Sequence, residues 1–372
     1  MKRILIFYSH FSPAFKAGGP VQSLVNLVTE LHDHFEFYVF CSAYEMGEKD
    51  LLTGIKPDEW NKYAENVQVY YASNSVAVKI KSEINRIDPD FIYVNGMFLF
   101  FYNTIPLWLA KTRNKKVVIA PRGMLQEGAL AIKPFKKKLF LSMLKLTDIF
   151  KNIIWHATDE QEAKDVRKII GSQSTVRVAA NIPRAIANSN TVKEKAKGEL
   201  RLVFLSLITE KKNLHLILEA LKQLRTPIQF DIYGPVIDEG YWLTCKKLME
   251  EQIHTIRYQG AIEPNTVQET LSKYHAFILP TKGENFGHAI YEALSVGTPV
   301  LVSPYTPWGR LQDYNAGITI EALDQKYWSK AIQKFIDMEL DEYSVYSKGS
   351  YDLAKNYFSK NDFKFQYQSL FS

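Results

Sequence analysis

The stretch TKGENFGHAIYEALSVGTPV, residues 281–300, carries the most informative pattern in this chain of 372 residues. It follows the apolar run AFILP (276–280), which is typical of a buried strand, and its later residues have the apolar spacing of a helix. Glu284 and Glu292 stand on either side of an Asn-Phe-Gly turn at which the helix starts. Ligands of parallel α/β sheets bind at the carboxyl ends of strands, so the stretch predicts an α/β fold with a ligand site here.

The same alternation of strands and helices runs through the whole chain. Near-continuous apolar strands separated by amphipathic helices indicate parallel sheets covered on both faces, and two such runs predict two Rossmann-like domains. A polar segment with Pro183, residues 179–199, separates the two runs. We therefore predict an N-terminal domain at 1–180, a C-terminal domain at 181–355 and a last helical segment at 356–372. The predicted strands are 3–9, 36–42, 67–73, 91–96, 116–121, 153–158, 200–206, 228–234, 256–262, 276–280, 299–304 and 317–320.

Composition excludes several classes of protein. With 46% hydrophobic and 23% charged residues, the chain is an ordinary globular protein and not a disordered one. No apolar run is long enough to span a bilayer, and the N-terminal MKRILIFYSHFSP reads as a first strand, not as a signal peptide. Cys41 and Cys245 lie in separate halves, which favours a reducing, cytoplasmic setting.

The net charge of +6 is concentrated locally. Between Lys111 and Lys151, the acidic residues are Glu127 and Asp148 alone, among eleven lysines and arginines. Such a patch predicts an anionic partner, or else a solvated face. The stretch 133–150 joins Lys136, Lys137 and Lys138 to an apolar run, which suits either a helix on an anionic membrane surface or a helix packed on the N-terminal sheet. Nucleic acid is a poor alternative, because no recognised nucleic-acid-binding motif is present.

Two further strand ends carry candidate phosphate-binding groups. Gly18 and Gly19 follow the first strand and precede a helix, where backbone amides can approach an anion, although a plain tight turn has the same pattern. Lys211 and Lys212 follow the first strand of the second domain, where a lysine can reach a phosphate in a cleft between the domains. Two solvated lysines at a helix start are the simpler alternative.

Around the opening stretch, amides and carboxylates are combined. Amides near Phe286 and Gly287 can donate to a diphosphate, Glu292 can accept from the vicinal hydroxyls of a ribose, and Glu284 can accept from another polyol. This combination suits a nucleotide-sugar. A helix cap with a surface glutamate is the alternative.

The pattern HAFILPTKGENFGHAIYEALSVGTPVLVS resembles the signature of the retaining glycosyltransferases of family four, which have the GT-B fold. Further pieces follow in the family's order, and TPW (306–308) is similar to a subgroup common in bacterial exopolysaccharide, capsule and O-antigen assembly. The further pieces that follow in the family's order are GGPVQSLVNLVTEL, PRGML, HATDEQEAKDV, KKNLHLILEA and FDIYG. The resemblance implies two Rossmann-like domains with parallel sheets facing across a cleft, an NDP-sugar bound by the C-terminal domain, and an acceptor bound mainly by the N-terminal domain. It also implies that the last helix crosses back to the N-terminal domain.

Residue roles follow from the same resemblance. Glu284 would bind donor-sugar hydroxyls, Glu292 the ribose, and Lys212 the diphosphate, which the loop of Gly18 and Gly19 would approach from the other side. Lys211 would also contact the donor. Backbone near the base would come from Gly260 and Ala261. Amides for the sugar or phosphate would come from Asn285, Phe286, Gly287 and His288. The predicted catalytic residues are Glu284, Lys212 and Arg122.

Two departures from the family pattern concern charge. Leu207 stands where the family usually has an arginine, so the diphosphate would lose a bidentate partner that Lys211 replaces in part. Arg122, in APRGML, stands where many members have a histidine. No D-x-D metal motif follows a strand, so no metal or other cofactor is expected in catalysis, and cationic side chains with helix dipoles would stabilise the leaving diphosphate.

The predicted function is transfer of a sugar, with retention, from an NDP-sugar to a hydroxyl of a saccharide acceptor. The acceptor would be lipid-linked, in cell-surface polysaccharide synthesis, with the protein in the cytoplasm and peripheral at the membrane. Two alternatives stay open: a GT-B-fold sugar-nucleotide epimerase, and a catalytically weak nucleotide-sugar-binding subunit motivated by Leu207.

Overall fold

The computed structural model describes residues 1–131, 134–186 and 193–372. The chain divides into two compact units, and each is described by itself. Unit 1 consists of Met1–Ile182 and Asp362–Ser372, and unit 2 of Pro183–Asn361. The predicted boundary at 355/356 falls inside a continuous helix, so unit 2 extends to Asn361. Lys133, at the start of the predicted membrane helix, and 187–192 of the predicted linker lie outside the described residues.

Each unit contains one twisted sheet. In unit 1 the strand order is β3-β4-β2-β1-β5-β6-β7-β8, and in unit 2 it is β11-β10-β9-β12-β13-β14. Every pairing is parallel except that of β3 with β4, which is antiparallel. The strands are β1 Lys2–Phe7, β2 Phe35–Ser42, β3 Trp60–Ala64, β4 Val67–Ala72, β5 Phe91–Asn95, β6 Lys116–Ala120, β7 Ile153–Ala157, β8 Thr175–Val178, β9 Arg201–Leu205, β10 Gln229–Tyr233, β11 Thr255–Gly260, β12 Ala276–Leu279, β13 Val300–Val302 and β14 Gly317–Thr319.

Helices connect the parallel strands and cover the sheets, as parallel pairing requires. The α-helices of the described residues are α1 Gly19–Leu31, α2 Val76–Ile87, α3 Ile105–Thr112, α4 Glu127–Ala131, α5 Pro134–Leu146, α6 Glu160–Ile170, α7 Leu214–Leu221, α8 Glu239–Glu250, α9 Val267–Leu271, α10 His288–Ser295, α11 Gln325–Asp337, α12 Leu340–Lys360 and α13 Phe363–Leu370. None of the helices that the structure describes has the length and apolar character needed to cross a bilayer.

The prediction from sequence contains every strand except β3 and β8. Both missing strands lie at an edge of the first sheet, and neither contains a buried residue. An edge strand has one unpaired side and a weak apolar pattern, so the period-2 signal that identifies buried strands is absent there. By contrast, every residue of the central strand β5 is buried.

The chain returns to unit 1 after α12. Helix α13 and the residues after it pack on unit 1, with Tyr367, Leu370 and Phe371 buried. The ring of Phe371 lies 5.3 Å from that of Phe35 and 5.5 Å from that of Phe91, centroid to centroid. Burying a side chain of this size stabilises a fold by about 1.5–3 kcal/mol, so the C-terminus is part of the core of unit 1.

Candidate functional site

The start of α10 in unit 2 is shaped by a glycine. Gly287 is the N-cap of α10, with φ of 79° and ψ of 64°, in the left-handed region. A Cβ at this position would lie 2.8 Å from Cδ1 of Ile290, so a larger residue would meet both strain and a clash. Glycine therefore fixes where the loop ends and where α10 begins.

An aromatic cluster holds the residue before this glycine. Phe286 is buried, and its ring centroid lies 5.4 Å from that of Trp308 and 5.5 Å from that of Tyr357. The indole N–H of Trp308 donates to the backbone carbonyl of Phe286 at 2.7 Å. This bond and the ring contacts hold the backbone in place just before the start of α10.

The first amides of α10 form a potential anion site. The N-cap residue Gly287 provides no side-chain cap, and the first turn holds no acidic residue. The first N–H groups of a helix and the helix dipole together favour negative charge at such an end. Phe286, Gly287 and His288, predicted as donor-binding, all lie at this helix start, and the also predicted Asn285 lies in the loop just before it.

Glu292 lies within α10 and is buried, with 6% of the residue exposed. Burial raises the pKa of its carboxyl to about 7, and the charge of Arg184 opposes that rise. Nε of Arg184 lies 3.6 Å from Oε1 of Glu292, and Nη1 of Arg184 donates to the carbonyl of Pro264. The carboxyl is therefore a desolvated acceptor held beside one guanidinium.

Glu284 lies in the loop before α10 and pairs with Lys212. Its carboxylate accepts from Nζ of Lys212, and 15% and 14% of the two side chains are exposed. The backbone N–H of Glu284 donates to the carbonyl of Tyr305 at 2.9 Å, which fixes the loop. Two residues that are 72 positions apart, and that were predicted to bind sugar and diphosphate, therefore meet directly.

Lys211 lies beside the same loop. Its carbonyl accepts from the N–H of Lys282 at 2.8 Å, and its Cε lies 3.5 Å from where a Cβ on Gly283 would be. Lys282 in turn pairs with Glu210 at 3.0 Å. The loop after β12 and the turn before α7 are thus joined by one backbone bond and by two ion pairs, Lys212 with Glu284 and Lys282 with Glu210.

Gly260 and Ala261, the predicted base contacts, follow β11. Gly260 has φ of 78° and open space where a Cβ would be, and Ala261 is exposed. The Gly260 carbonyl accepts from the N–H of Gly234 at 2.8 Å. A Cβ on Gly234 would lie 1.8 Å from the carbonyl oxygen of Ser206, so that position requires glycine.

The other predicted site residues lie in unit 1. Gly18, with φ of 73°, is the N-cap of α1, and Gly19 is its first residue. Pro20 is the second residue of the helix. As in α10, the N-cap residue is a glycine and provides no side-chain cap.

Arg122 is buried in a polar network of unit 1. Its guanidinium donates to Oδ1 of Asn95 at 2.9 Å, to Oδ1 of Asn181 at 2.6 Å and to the hydroxyl of Tyr93 at 2.8 Å. The hydroxyl of Tyr93 also lies 2.8 Å from Nδ1 of His156, whose pKa burial lowers to about 3. These bonds give Arg122 a structural role in unit 1; its predicted catalytic role stays a prediction.

Arg184, Trp308 and Gly234 are three residues at the site of unit 2 to which the sequence assigned no role. Trp308 and Gly234 lie in quoted motifs, TPW and FDIYG, whereas Arg184 lies in a segment interpreted only as linker. Leu207, the departure from the family pattern, is half-buried just after β9. Within the described ranges, no three histidine, cysteine, aspartate or glutamate side chains are grouped as metal ligands would be.

Comparison with known proteins finds a family match over part of the second half of the chain. Residues 186–352, which lie within unit 2, match the family described as "Glycosyl transferases group 1". No curated protein matches the sequence.

Solved structures match both units together. Sucrose-phosphate synthase from Thermosynechococcus elongatus is 15% identical with a TM-score of 0.72, covering 99% of this chain and 97% of that one. Anabaena HepE in complex with UDP-glucose is 12% identical with a TM-score of 0.71, covering 100% and 98%. WaaG, a glycosyltransferase involved in lipopolysaccharide biosynthesis, is 12% identical with a TM-score of 0.66, covering 99% and 98%. At these identities the likeness establishes the fold, and the predicted GT-B fold with two Rossmann-like domains is confirmed.

Proposed function

We propose that this protein is a retaining glycosyltransferase that moves a sugar from an NDP-sugar to a hydroxyl of a saccharide acceptor. The observation that carries the proposal is the glycine-capped start of α10, with Glu284 before it and Glu292 within it. The match of residues 186–352 to the glycosyl transferases and the UDP-glucose bound by Anabaena HepE support the same donor class.

Different residues would bind the diphosphate, the ribose, the sugar and the base of the donor. The α10 amides and Lys212 would bind the diphosphate, because both supply positive potential. The buried carboxylate of Glu292 would accept from the ribose hydroxyls, and the charge of Arg184 favours its ionised form. Glu284 would accept from hydroxyls of the donor sugar, and backbone at Gly260 and Ala261 would contact the base.

The reaction breaks the bond between the anomeric carbon and the diphosphate oxygen and forms one to the acceptor oxygen. The acceptor hydroxyl proton goes to the departing diphosphate, and the new bond forms on the face that the diphosphate leaves. Stabilising the charge of the leaving diphosphate is the main task of the protein, and fixed amides with a lysine can perform it without a metal. Glu284 is not assigned as a nucleophile, because it is paired with Lys212.

The acceptor would be a lipid-linked saccharide, as in cell-surface polysaccharide synthesis, with the enzyme acting at the inner face of the cytoplasmic membrane. The subgroup-like TPW motif supports this part of the proposal. The hydrogen bond from Trp308 of that motif to the carbonyl of Phe286 supports a place for the motif beside the proposed donor site.

A donor screen tests the proposal. UDP-, GDP-, ADP- and dTDP-sugars are incubated with a lipid-linked oligosaccharide fraction, and released nucleotide and the anomeric configuration of the product are measured. We expect nucleotide release that requires acceptor, with retained configuration, and its loss in Glu284→Ala. An altered sugar nucleotide formed without acceptor would instead identify an epimerase.

A nucleotide-sugar-binding subunit with weak catalysis is the second candidate, and Leu207 favours it. A neutral side chain after β9 replaces a guanidinium that would pair with a diphosphate. Binding of a donor without turnover in the same screen would support this candidate. Turnover gained in Leu207→Arg would show that the missing charge is the cause.

A further inference from the structure

Helix α5 of unit 1 has two apolar faces. Leu141 and Leu144 are buried in the core of unit 1, and Phe140 packs against it, so one face is covered as in an ordinary α/β domain. Phe135, Leu139 and Met143, spaced at i, i+4 and i+8, are exposed by 79%, 52% and 59%. Residues at this spacing lie on one ridge of a helix, so α5 presents a second apolar stripe to solvent.

A neighbouring element exposes aromatic side chains. Phe100 and Phe101 open a π-helical turn, Phe100–Thr104, that leads into α3, and both are exposed. Trp108, on α3, is 59% exposed. All six tryptophans lie within the described ranges, and of these only Trp108 is exposed.

Direct contacts join these two elements. The ring of Phe98, just before the π-helical turn, lies 5.7 Å from that of Phe140 on α5, centroid to centroid. Nζ of Lys111, on α3, donates to the carbonyl of Thr147 just after α5 at 2.6 Å. The two elements that carry the exposed apolar side chains are therefore packed against each other, and these six side chains are here called the apolar ridge: Phe100, Phe101, Trp108, Phe135, Leu139 and Met143.

The charged residues within α5 are all lysines, whereas the exposed carboxylates of Glu127 and Asp148 lie before and after the helix. Lys136, Lys138 and Lys145 are exposed on α5 itself. Lys137 has another role, because its Nζ donates to the carbonyl of Ala129 at 2.7 Å and lies 5.3 Å from the ring centroid of Phe98. Of the three adjacent lysines, the outer two are therefore the ones that face solvent.

We propose that the apolar ridge docks on an anionic lipid bilayer. Exposed Trp and Phe beside lysines are the composition of interfacial surfaces, where rings enter the headgroup region and lysines meet anionic lipids. Charge selects this occupant over a second copy of the chain, because two lysine-rich surfaces would repel each other. The proposal deepens the proposed function by placing the enzyme where a lipid-linked acceptor lies, but lipid binding is measured without any sugar substrate.

Co-sedimentation with vesicles of phosphatidylcholine, with and without phosphatidylglycerol, tests the proposal on the full chain. We expect binding to the anionic vesicles alone, and weakening as salt rises, because salt screens the lysines. Lys136→Glu with Lys138→Glu should weaken partitioning by about tenfold or more, given the strength of one lysine near an anionic surface. Leu139→Gln with Met143→Gln should weaken it too, because the apolar contact is lost.

A matched control lies on α8 of unit 2, where Leu243, Lys246 and Lys247 are likewise exposed. Leu243→Gln with Lys246→Glu and Lys247→Glu should leave vesicle binding unchanged. No binding to anionic vesicles at low salt would overturn the proposal, as would equal losses in the ridge and control variants. A dimer in solution that the ridge variants dissociate would also overturn it, in favour of a second copy.

Fluorescence gives a second readout. Brominated acyl chains quench tryptophan at short range, so they should quench Trp108 in bound protein, and Trp108→Phe should remove the quenching while keeping sedimentation. Binding with no Trp108 quenching would contradict docking through the ridge. Donor turnover with a soluble acceptor is measured separately, so failure of lipid binding and failure of the proposed transferase remain distinguishable.

Discussion

Glu292 is the residue whose charge should control donor binding. Its pKa is raised to about 7 by burial, whereas hydroxyl donors from a ribose would favour the ionised carboxylate. The pKa should therefore fall when nucleotide binds, and affinity should rise with pH up to about 7 and then level off. Titration calorimetry of the productive nucleotide between about pH 5.5 and 8 checks this, with proton release on binding below about pH 7.

Two variants serve as controls for this pH dependence. Glu292→Gln should bind with no such pH dependence, because the titrating group is gone. Arg184→Ala should move the midpoint to higher pH, because the charge that opposes the rise in pKa is removed. A pH dependence that persists unchanged in Glu292→Gln would assign the titration to another group.

The sequence could predict candidate site residues, but not which of them contact each other. Glu284, Glu292 and Lys212 could be predicted as site candidates, because each lies in the loop or helix that follows a strand end. The direct pairs Lys212 with Glu284 and Arg184 with Glu292 join residues far apart in the chain, and a single sequence holds no signal for such contacts.

At the scale of elements, the link between Trp308 and α10 is testable. Trp308→Phe keeps the ring but leaves the carbonyl of Phe286 without its indole donor, which should cost about 1–3 kcal/mol of stability. Because that carbonyl precedes the first amides of α10, nucleotide affinity should fall as well. Denaturant unfolding and calorimetry measure the two effects.

Trp328→Phe is the matched control. It removes an indole bond of 2.9 Å to the carbonyl of Ala322, away from the start of α10. It should lower stability and leave nucleotide affinity unchanged. Equal losses of affinity in both variants would mean that general destabilisation, and not the position of α10, controls binding.

Elements were predictable where their apolar pattern was strong. The order β12, loop, α10 follows from AFILP, an Asn-Phe-Gly turn and a helical spacing, because each obeys a local rule. Strand β3 was not predictable, because WNKYA has no buried residue and pairs at an edge. Helix α5 was predicted with one apolar face and has two, since periodicity does not tell which side of a helix the protein covers.

At the scale of the whole molecule, the C-terminal residues belong to unit 1. Phe371→Ala removes a buried ring that contacts Phe35, Phe91 and Tyr93, and should cost about 3–5 kcal/mol. Phe365→Ala, on the exposed side of α13, should change stability little. Scanning calorimetry of both variants checks this, and a similar shift in both would contradict the assignment of the C-terminus to the core.

The central claim is that unit 2 binds a nucleotide-sugar with Glu292 at the ribose and Glu284 at the sugar. Titration calorimetry of the wild type, Glu292→Gln and Glu284→Gln with the productive nucleoside diphosphate and its sugar donor tests it most directly. Glu292→Gln should weaken both ligands by about 1.5–3 kcal/mol, as expected for loss of a charge-assisted hydrogen bond. Glu284→Gln should weaken the sugar donor more than the diphosphate. Unchanged affinity for both ligands in Glu292→Gln, or equal losses for both in Glu284→Gln, would contradict the claim.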